Sequence, residues 1–385
     1  MRICLVYDCL FPHTVGGAER WYRNLAERLS AEGHEVDYLT LRQWKPGERA
    51  EVSGVRVVTA GPRMELYTAS GRRRILPPLV FGAGVLWHLL RQRRRYDVVH
   101  TASFPYFSLL AAALVRPLSR FQLVVDWHEV WSREYWREYL GVAGGAVGNA
   151  VQALCLRVPQ RAFCFSRLHG QRLLDAPVNG EVMVLEGEYA GSREPREPAP
   201  AEPLVVFAGR HIPEKRVPAL VPALALARRS IPELRGEILG DGPERAEVLR
   251  LRTQHRLDQE LDVPGRVGSE QVERALARAL CMVLPSRREG YGLVVVEAAA
   301  AGTPSVVVAG PDNAATGLIS EGENGYIAAS ASPEDLAAAI ERVHAEGQAL
   351  RERTAAWFRA NAERLSLDAS LERVLESYRS ASARR

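Results

Sequence analysis

The sequence predicts an α/β protein built from two doubly wound parallel domains, and three observations support this. Its 385 residues exceed what a single core comfortably organises. Short apolar runs typical of strands alternate with helical periodicity from the first residues onward. A polar stretch rich in Pro, Glu and Arg, residues 186–203, interrupts this alternation, which then restarts. We therefore expect domains at residues 1–190 and 203–365, with residues 366–385 forming a helix that packs back on the first domain.

The individual elements follow from the same periodicity. In the first domain, apolar side chains at helical spacing predict a helix at residues 18–32, and apolar runs predict strands at 3–8, 36–39, 97–101 and 123–127. A strand, a helix and a strand in this order favour parallel pairing through right-handed crossovers. The second domain repeats the pattern, with predicted helices at 217–230 and 293–301 and predicted strands at 204–208, 237–240, 281–285 and 305–309.

Composition and cysteine content indicate the class of protein. Apolar residues make up 47% and charged residues 25% of the chain, the balance of a soluble globular protein. The five cysteines are scattered without a Cys-x-x-Cys pair, which argues against a disulfide framework or a zinc site and favours a reducing cytosol. No signal-peptide pattern precedes the first strand. We therefore expect a cytoplasmic protein, and no motif points to a nucleic-acid partner.

One apolar run leaves two interpretations open. Residues 75–90 are interrupted by Pro77, Pro78 and His88 and are shorter than the ~20 residues that span a bilayer. Arginines flank the run, and residues 1–190 carry 24 Lys and Arg against 18 Asp and Glu. The run is therefore either a partly buried helix with solvated arginine ends or a peripheral contact with anionic lipid at the inner face of the membrane.

A glycine pair precedes the first predicted helix. Gly16 and Gly17 let the backbone approach a ligand closely, and the helix that follows offers free N–H groups to an anion. The alternative is an ordinary tight turn. The loop is not a Gly-x-Gly-x-x-Gly motif, which disfavours an NAD-dependent dehydrogenase.

Two basic residues follow the first strand of the second domain. Arg210 and Lys215 lie in the loop between this strand and a helix, where both can neutralise a diphosphate. Arg would act as a planar fork and Lys as a point charge. The alternative is a pair of solvated loop side chains.

The most informative cluster contains two glutamates separated by seven residues. Glu289 and Gly290 lie in a loop, and Glu297 lies one turn into a helix that begins near Gly292. Apolar neighbours predict that this helix is buried nearly all round, so Glu297 needs hydrogen-bond donors such as a ribose diol. Glu289 can bind sugar hydroxyls while the N–H groups of Gly292 and Leu293 face phosphate. The alternative for Glu297 is an ion pair with a neighbouring Arg.

His128 follows the predicted strand at 123–127 and could face a ligand, although a lone histidine is more often structural. Beside it lies a stretch of aromatic residues that could stack on sugar rings, sit at a lipid interface or pack in the core: Trp127, Trp131, Tyr135, Trp136 and Tyr139. The chain has no Asp-x-Asp pair, so we expect no dedicated metal site.

These motifs, in this order, resemble the family 4 retaining glycosyltransferases of GT-B fold. The motifs are Gly-Gly-Ala-Glu, His128, Gly-Arg-x4-Lys, Gly-Asp-Gly-Pro and Glu-x7-Glu. The resemblance implies two Rossmann-like domains that face a central cleft. It also implies transfer of a hexosyl group from a UDP- or GDP-sugar, without a cofactor, to an unidentified glycan, lipid-linked sugar or small molecule.

The resemblance also implies roles for the residues. Arg210 and Lys215 would hold the donor diphosphate, Glu297 the ribose, Glu289 the transferred sugar, and His128 would lie near its reacting carbon. Backbone groups around Gly265 and Val267 would bind the donor base, and Gly16 and Gly17 would lie near phosphate and acceptor. The chain departs from the family pattern at His211, where a small or aliphatic residue is commoner, and at residues 310–318, where Asp312 follows Pro311 and the common Pro-Glu pair is absent.

Two alternatives share these motifs. A nucleotide-sugar 2-epimerase of the same fold would release the nucleotide by elimination and need no acceptor. A non-catalytic partner protein would bind the nucleotide sugar without turning it over. The presence of Arg210, Lys215, Glu289, Glu297 and His128 argues against loss of activity.

Overall fold

A computed structural model describes residues 1–45, 47–68 and 73–382. The chain divides into two units, the first formed by residues 1–68, 73–188 and those from 368 onward, the second by residues 189–367. Each unit contains one main parallel sheet with helices packed on it.

Seven parallel strands form the sheet of the first unit: β1 (Arg2–Val6), β2 (Glu35–Thr40), β3 (Arg56–Thr59), β4 (Val98–Ala102), β5 (Gln122–Trp127), β6 (Gln160–Cys164) and β7 (Gly180–Val184). Their order is β3-β2-β1-β4-β5-β6-β7. Every residue of β4 and β5 is buried, as expected for central strands covered on both faces. The strands predicted in this region are confirmed, with bounds shifted by one or two residues.

The helices of this unit occupy two faces of the sheet. They are α1 (Gly17–Ala31), α2 (Leu76–Arg91), α3 (Phe107–Val115), α4 (Arg133–Arg157) and α5 (Arg167–Asp175). The crossover from β1 to β2 runs toward one edge of the sheet, whereas the crossovers from β3 onward run toward the other, so the direction reverses between β1 and β4. Because these crossovers are right-handed, α1 lies on one face of the sheet and α2 to α5 lie on the other. Ligands of such sheets bind beyond the carboxyl ends of the strands at this reversal.

The apolar run at residues 75–90 corresponds to α2, with Ile75 as the N-cap. Pro77 and Pro78 lie in its first turn, where a missing amide proton is tolerated, so they begin the helix instead of interrupting it. Phe81, Val85 and Leu89 are buried at helical spacing.

The main sheet of the second unit has six parallel strands: β8 (Leu204–Ala208), β9 (Arg235–Leu239), β10 (Leu261–Gly265), β11 (Cys281–Leu284), β13 (Ser305–Val308) and β15 (Gly325–Ala328). Their order is β10-β9-β8-β11-β13-β15. A separate short pair is formed by β12 (Arg288–Glu289) and β14 (Asp312–Asn313). The helices are α6 (Leu220–Ala227), α7 (Arg245–Gln254), α8 (Ser269–Arg278), α9 (Leu293–Ala300) and α10 (Pro333–Leu365).

The helix predicted at 217–230 is shorter than expected. Two 3-10 turns, Pro213–Lys215 and Val217–Ala219, precede α6, and Arg216 between them has a left-handed backbone with φ 50°. Pro218 has no amide proton to donate. Regular α-helical pairing therefore begins only at Leu220.

The last helix, α11 (Leu367–Ser382), returns the chain to the first unit. The hydroxyl of Tyr378 lies 2.5 Å from Nδ1 of His100 on β4. Arg161 on β6 donates to the hydroxyl of Ser377 at 2.9 Å. These buried polar contacts fix the helix against the sheet.

Candidate active site

The loop after β8 carries two of the predicted basic residues in different surroundings. Arg210 is exposed, and its guanidinium makes no ion pair with any residue that the structure describes. Lys215 ends the first 3-10 turn, and its side chain is only 19% exposed. Arg210 therefore retains its full charge for a ligand, whereas Lys215 already has a partner.

The loop after β9 supports the Arg210 loop. Gly240 has φ 131°, and a Cβ at this position would lie 1.9 Å from the carbonyl oxygen of Gly209. The amide of His211 donates to the carbonyl of Asp241 at 2.9 Å. The Gly-Asp-Gly-Pro motif therefore has a structural explanation, since glycine lets the two loops pack backbone against backbone.

The partner of Lys215 is Glu289. Nζ of Lys215 lies 2.5 Å from Oε1 of Glu289, which also accepts from Oγ of Ser286 at 2.6 Å. The Glu289 side chain is 8% exposed. The sequence predicted Glu289 as a ligand for sugar hydroxyls. This ion pair was not predicted, because 74 positions separate the two residues in the sequence. The pair joins the loops after β8 and β11.

Asn313 is a site residue that sequence analysis missed. Its buried side chain donates to the carbonyls of Ser286 and Val308, at 3.1 and 2.8 Å, and accepts from the amide of Ala315. It thereby holds β14 beside β12, which contains Glu289. The signal available in the sequence was a lone Asn between a strand and a turn, a residue type that bonds local backbone.

Gly292 precedes α9 in a conformation that favours glycine. Its φ is 104°, and a Cβ would lie 2.7 Å from Cβ of Ala315. α9 then begins at Leu293, as predicted, with no acidic residue in its first turn. The free N–H groups at this end of α9 can donate hydrogen bonds to an anion.

Glu297 is less buried than the sequence predicted. α9 buries Val295, Val296 and the alanines that follow Glu297, but Leu293, Val294 and Glu297 are half-buried. Leu293 and Val294 precede Glu297 by four and three positions, so they lie beside it on one side of the helix. The expectation of burial all round is wrong, because the core covers only the other side. Burial, together with the charge of Glu297, raises the pKa of Tyr189.

The predicted base-binding segment follows β10. Gly265 is buried, and its carbonyl accepts from the amide of Gly240 at 2.9 Å. The backbone N–H and C=O of Val267 have no hydrogen-bond partner among the described residues. Gly290, between Glu289 and the α9 start, is half-buried.

In the first unit, Gly16 and Gly17 stand at the start of α1. Gly16 caps the helix and Gly17 is exposed. A Cβ at Gly17 would lie 3.8 Å from Oε2 of Glu188. Burial and the charge of Asp126 raise the pKa of Glu188 to about 8. This carboxyl is largely protonated at neutral pH and does not repel an anion at α1, a feature that the sequence did not reveal.

His128 follows β5 at the same edge of the sheet. Its ring stacks on Phe165 with centroids 4.6 Å apart, and Nε2 is buried without a hydrogen-bond partner among the described residues. Burial lowers the pKa of His128, so the ring is neutral at pH 7. A neutral ring with an unpaired nitrogen can form one hydrogen bond with a ligand hydroxyl.

Asp126 anchors the neighbourhood of His128. It is fully buried and accepts from His100 at 2.7 Å and from the indole of Trp21 at 2.8 Å. Burial alone would raise the pKa of Asp126, but the charge and hydrogen bond of His100 outweigh it and lower the pKa.

The aromatic stretch divides into two groups. Trp127, Tyr135 and Trp136 are buried and pack in the core. Trp131 and Tyr139 are half-buried, with ring centroids 5.2 Å apart.

Two family models match adjoining parts of the chain. Residues 15–187 match the model described as Glycosyltransferase Family 4, and residues 192–362 match the model described as Glycosyl transferases group 1. Together the matches extend over most of both units.

Individual proteins match over nearly the whole chain. Glycogen synthase of Mycobacterium tuberculosis is 28% identical over 392 residues, which cover 96% of this chain and 91% of that protein. The solved structure of sucrose-phosphate synthase from Thermosynechococcus elongatus matches with a TM-score of 0.80 at 19% identity, over 100% of both chains. Anabaena HepE in complex with UDP matches with a TM-score of 0.72 at 19% identity, over 99% of this chain and 100% of that one. The predicted fold, two parallel α/β domains of GT-B type, is confirmed.

Proposed function

Because the chain belongs to the family 4 glycosyltransferases, we propose that it transfers a hexosyl group from a nucleoside diphosphate sugar with retention of configuration. One observation carries the proposal. The loops after β8 and β11 bring Lys215 to Glu289, and Glu289 precedes α9 by four residues. Basic side chains and a helix N-terminus at one edge of a parallel sheet form a site for a diphosphate.

The donor is a UDP- or GDP-sugar. Val267 leaves its backbone groups unpaired beside β10, where they can read a base edge. A related structure was solved in complex with UDP, which favours uridine. Glu297, half-buried on α9, is placed to accept from ribose hydroxyls.

The chemistry follows from charge. As the bond between the anomeric carbon and the phosphate oxygen breaks, negative charge develops on the departing diphosphate. Arg210, Lys215 and the N–H groups at the start of α9 stabilise that charge. The acceptor oxygen attacks the same face of the sugar, and its proton passes to the departing phosphate oxygen. No side chain has to act as the base.

We assign the acceptor to the first unit, where the resemblance places His128 and the Gly16-Gly17 loop. The neutral His128 ring would exchange a hydrogen bond with a hydroxyl of the transferred sugar. The acceptor is a glycan, a lipid-linked sugar or a small molecule.

The test is a binding panel followed by product analysis. Titration calorimetry with UDP, GDP and their hexose conjugates should give binding to one nucleotide series. Donor plus cell extract should release nucleoside diphosphate, and NMR of the product should show the donor's anomeric configuration. Conversion of the donor without an acceptor would indicate the epimerase, and binding without turnover in any extract would indicate a non-catalytic protein.

We further propose that transfer needs no dedicated divalent metal, since the sequence has no Asp-x-Asp pair. Turnover should persist after treatment with EDTA and dialysis. A loss that Mg²⁺ or Mn²⁺ restores would contradict this.

A further inference from the structure

Exposed large apolar side chains are concentrated in one region of the molecule. Thirteen such residues occur in the described chain, and all thirteen belong to the first unit. Ten of them lie on α2, on α3 with the 3-10 turn Arg116–Leu118, and on α4, and Ile75 directly precedes α2. A concentration of this kind differs from the scattered apolar residues of an ordinary surface and indicates a binding surface.

These three helices cover the same face of the sheet. α2, α3 and α4 connect β3 to β4, β4 to β5 and β5 to β6, and all three crossovers run in one direction. The hydroxyl of Tyr106, which precedes α3, donates to Gln152 of α4 at 2.9 Å. Their outer sides therefore form one continuous surface, which we name the α2–α4 face.

On α2 the outer side is apolar and ends in arginine. Leu76 is 60% exposed and Trp87 is 61% exposed. The guanidinium of Arg91 lies 4.5 Å from the centroid of the Trp87 ring. An exposed tryptophan beside an arginine is the arrangement preferred at the boundary between lipid chains and head groups.

Exposed apolar side chains also occur along α4. Val142, Val147 and Leu154 are 71%, 65% and 52% exposed. No charged side chain occurs between Glu138 and Arg157. The opposite side of this segment is packed, because a Cβ at Gly148 would lie 2.3 Å from the ring of Trp136.

α4 is long and apolar enough to cross a membrane by length and composition alone, the one such helix in the described chain. However, Gly141 has φ 75° and breaks it into two helical segments. The longer segment, residues 142–157, spans about 24 Å at 1.5 Å per residue, less than the ~30 Å of a hydrocarbon core. The geometry suits contact with one leaflet.

Positive charge surrounds the apolar side chains. Residues 75–120 contain six arginines and one acidic residue, Asp97. Arg93, Arg94 and Arg120 are exposed, and no carboxylate of the described residues pairs with them. Exposed apolar side chains together with unpaired arginines complement a surface that is apolar inside and anionic outside.

We propose that the α2–α4 face docks the protein peripherally on an anionic phospholipid bilayer. The apolar side chains enter the head-group boundary of one leaflet, and the arginines contact lipid phosphates. This inference does not depend on the proposed reaction, because binding to lipid is measured without donor or acceptor.

The first test is flotation of the full chain with lipid vesicles. We expect it to float with phosphatidylcholine vesicles that contain phosphatidylglycerol and to stay largely unbound with phosphatidylcholine alone. Added NaCl should weaken binding, since salt screens the arginine contribution. Absence of binding to the anionic vesicles at low salt would overturn the proposal.

The second test separates the effect of positive charge on the α2–α4 face from the effect of the protein's net charge. The double variant Arg93→Glu/Arg94→Glu should lower the vesicle partition coefficient at least about 25-fold, because each basic residue near an anionic surface contributes about fivefold. The control Arg229→Glu/Arg359→Glu makes the same change in net charge at exposed positions of the second unit and should change binding little. Equal losses in both double variants would overturn the proposed face.

The third test addresses the apolar contribution and the alternative occupant. The variant Val147→Ser/Leu154→Ser should reduce vesicle binding about tenfold or more while leaving the melting temperature unchanged, because both side chains are exposed. Light scattering after size exclusion should give the same mass for this variant and the parent. If the parent is a dimer, and this variant is a monomer that binds vesicles as strongly as the parent, the face would instead be assigned to a second copy of the chain.

Discussion

Arg210 and Lys215 present different amounts of charge to a ligand, although both stand in one loop. Arg210 has no ion pair among the described residues, whereas Lys215 is bound to a carboxylate that is 8% exposed. We expect Arg210→Ala and Lys215→Ala each to lower kcat/KM by about 10²–10³-fold. Lys215→Ala should also lower the melting temperature, because among the described residues Glu289 then keeps only Ser286 as a side-chain partner.

Two comparisons sharpen this prediction. Arg210→Lys keeps the charge but loses the planar fork, so it should recover only part of the activity. Arg359→Ala removes an exposed charge elsewhere in the second unit and should leave kinetics unchanged. Near-normal turnover of both Arg210→Ala and Lys215→Ala would defeat the assignment.

Glu188 makes stability depend on pH in a predictable direction. Its pKa is raised from 4.5 to about 8, so between these values the folded chain holds a proton that the unfolded chain has lost. Its contribution to stability is therefore lost as pH rises through this window. Relative to the parent, Glu188→Gln should raise the melting temperature by at least about 2 °C at pH 8 and change it little at pH 5. For the exposed control Glu51→Gln, the difference in melting temperature from the parent should not grow between pH 5 and pH 8. A difference for Glu188→Gln that is the same at both pH values would contradict the prediction.

Single residues show which parts of the site were visible in the sequence. Gly292 and the start of α9 were predicted correctly, because glycine before an apolar run marks a helix start. The Lys215–Glu289 pair and Asn313 were not predicted, because both depend on which loops the sheet order brings together. The exposure of Glu297 was predicted wrongly, since a run of valine and alanine does not say which side of a helix the core leaves open.

At the scale of elements, the junction before α9 depends on a glycine that nothing else can replace. In Gly292→Ala the new Cβ meets Ala315 at 2.7 Å and the left-handed backbone is disfavoured. We expect a loss of about 2–4 kcal/mol in the free energy of unfolding and weaker nucleotide binding. Gly317→Ala adds a methyl group that meets nothing within 4 Å and should change stability by no more than about 0.5 kcal/mol. Chemical denaturation of the two variants measures the difference, and similar losses would contradict it.

Elements were predicted well where periodicity was simple. The predicted strands and helices agree with the structure within a few residues. Other elements were not predicted, among them β6, β7, β10, β15, α3, α5, α7 and α8. α4 and the 3-10 turns before α6 were not found, because Gly141 and Arg216 adopt positive φ and break the pattern. Such backbone angles depend on packing partners that lie far away in the sequence.

At the scale of the whole molecule, the first unit is completed by α11. Because Nε2–H of His100 donates to Asp126, Nδ1 is left as an acceptor for the hydroxyl of Tyr378. Tyr378→Phe leaves that buried nitrogen without a donor and should cost about 1–3 kcal/mol of stability. Six of the seven tryptophans belong to the first unit and Trp357 to the second. Tryptophan fluorescence should therefore report an earlier thermal transition, and an unchanged transition would show that the hydroxyl contributes nothing.

The division into two parallel α/β domains was visible in the sequence because the strand-and-helix pattern restarts after a polar stretch. The order of strands in each sheet was not, because periodicity describes each segment by itself.

The order of the segments along the chain also determines the order in which the two domains can fold during synthesis. The ribosome delivers residues 1–188 first, then the whole of the second unit, and only afterwards the helix whose Tyr378 packs on His100. The domain that begins first therefore finishes last, with part of its interior uncovered while some 180 further residues emerge. Ribosomes stalled before residue 368 should carry a nascent chain whose second domain resists protease while the first is still cut.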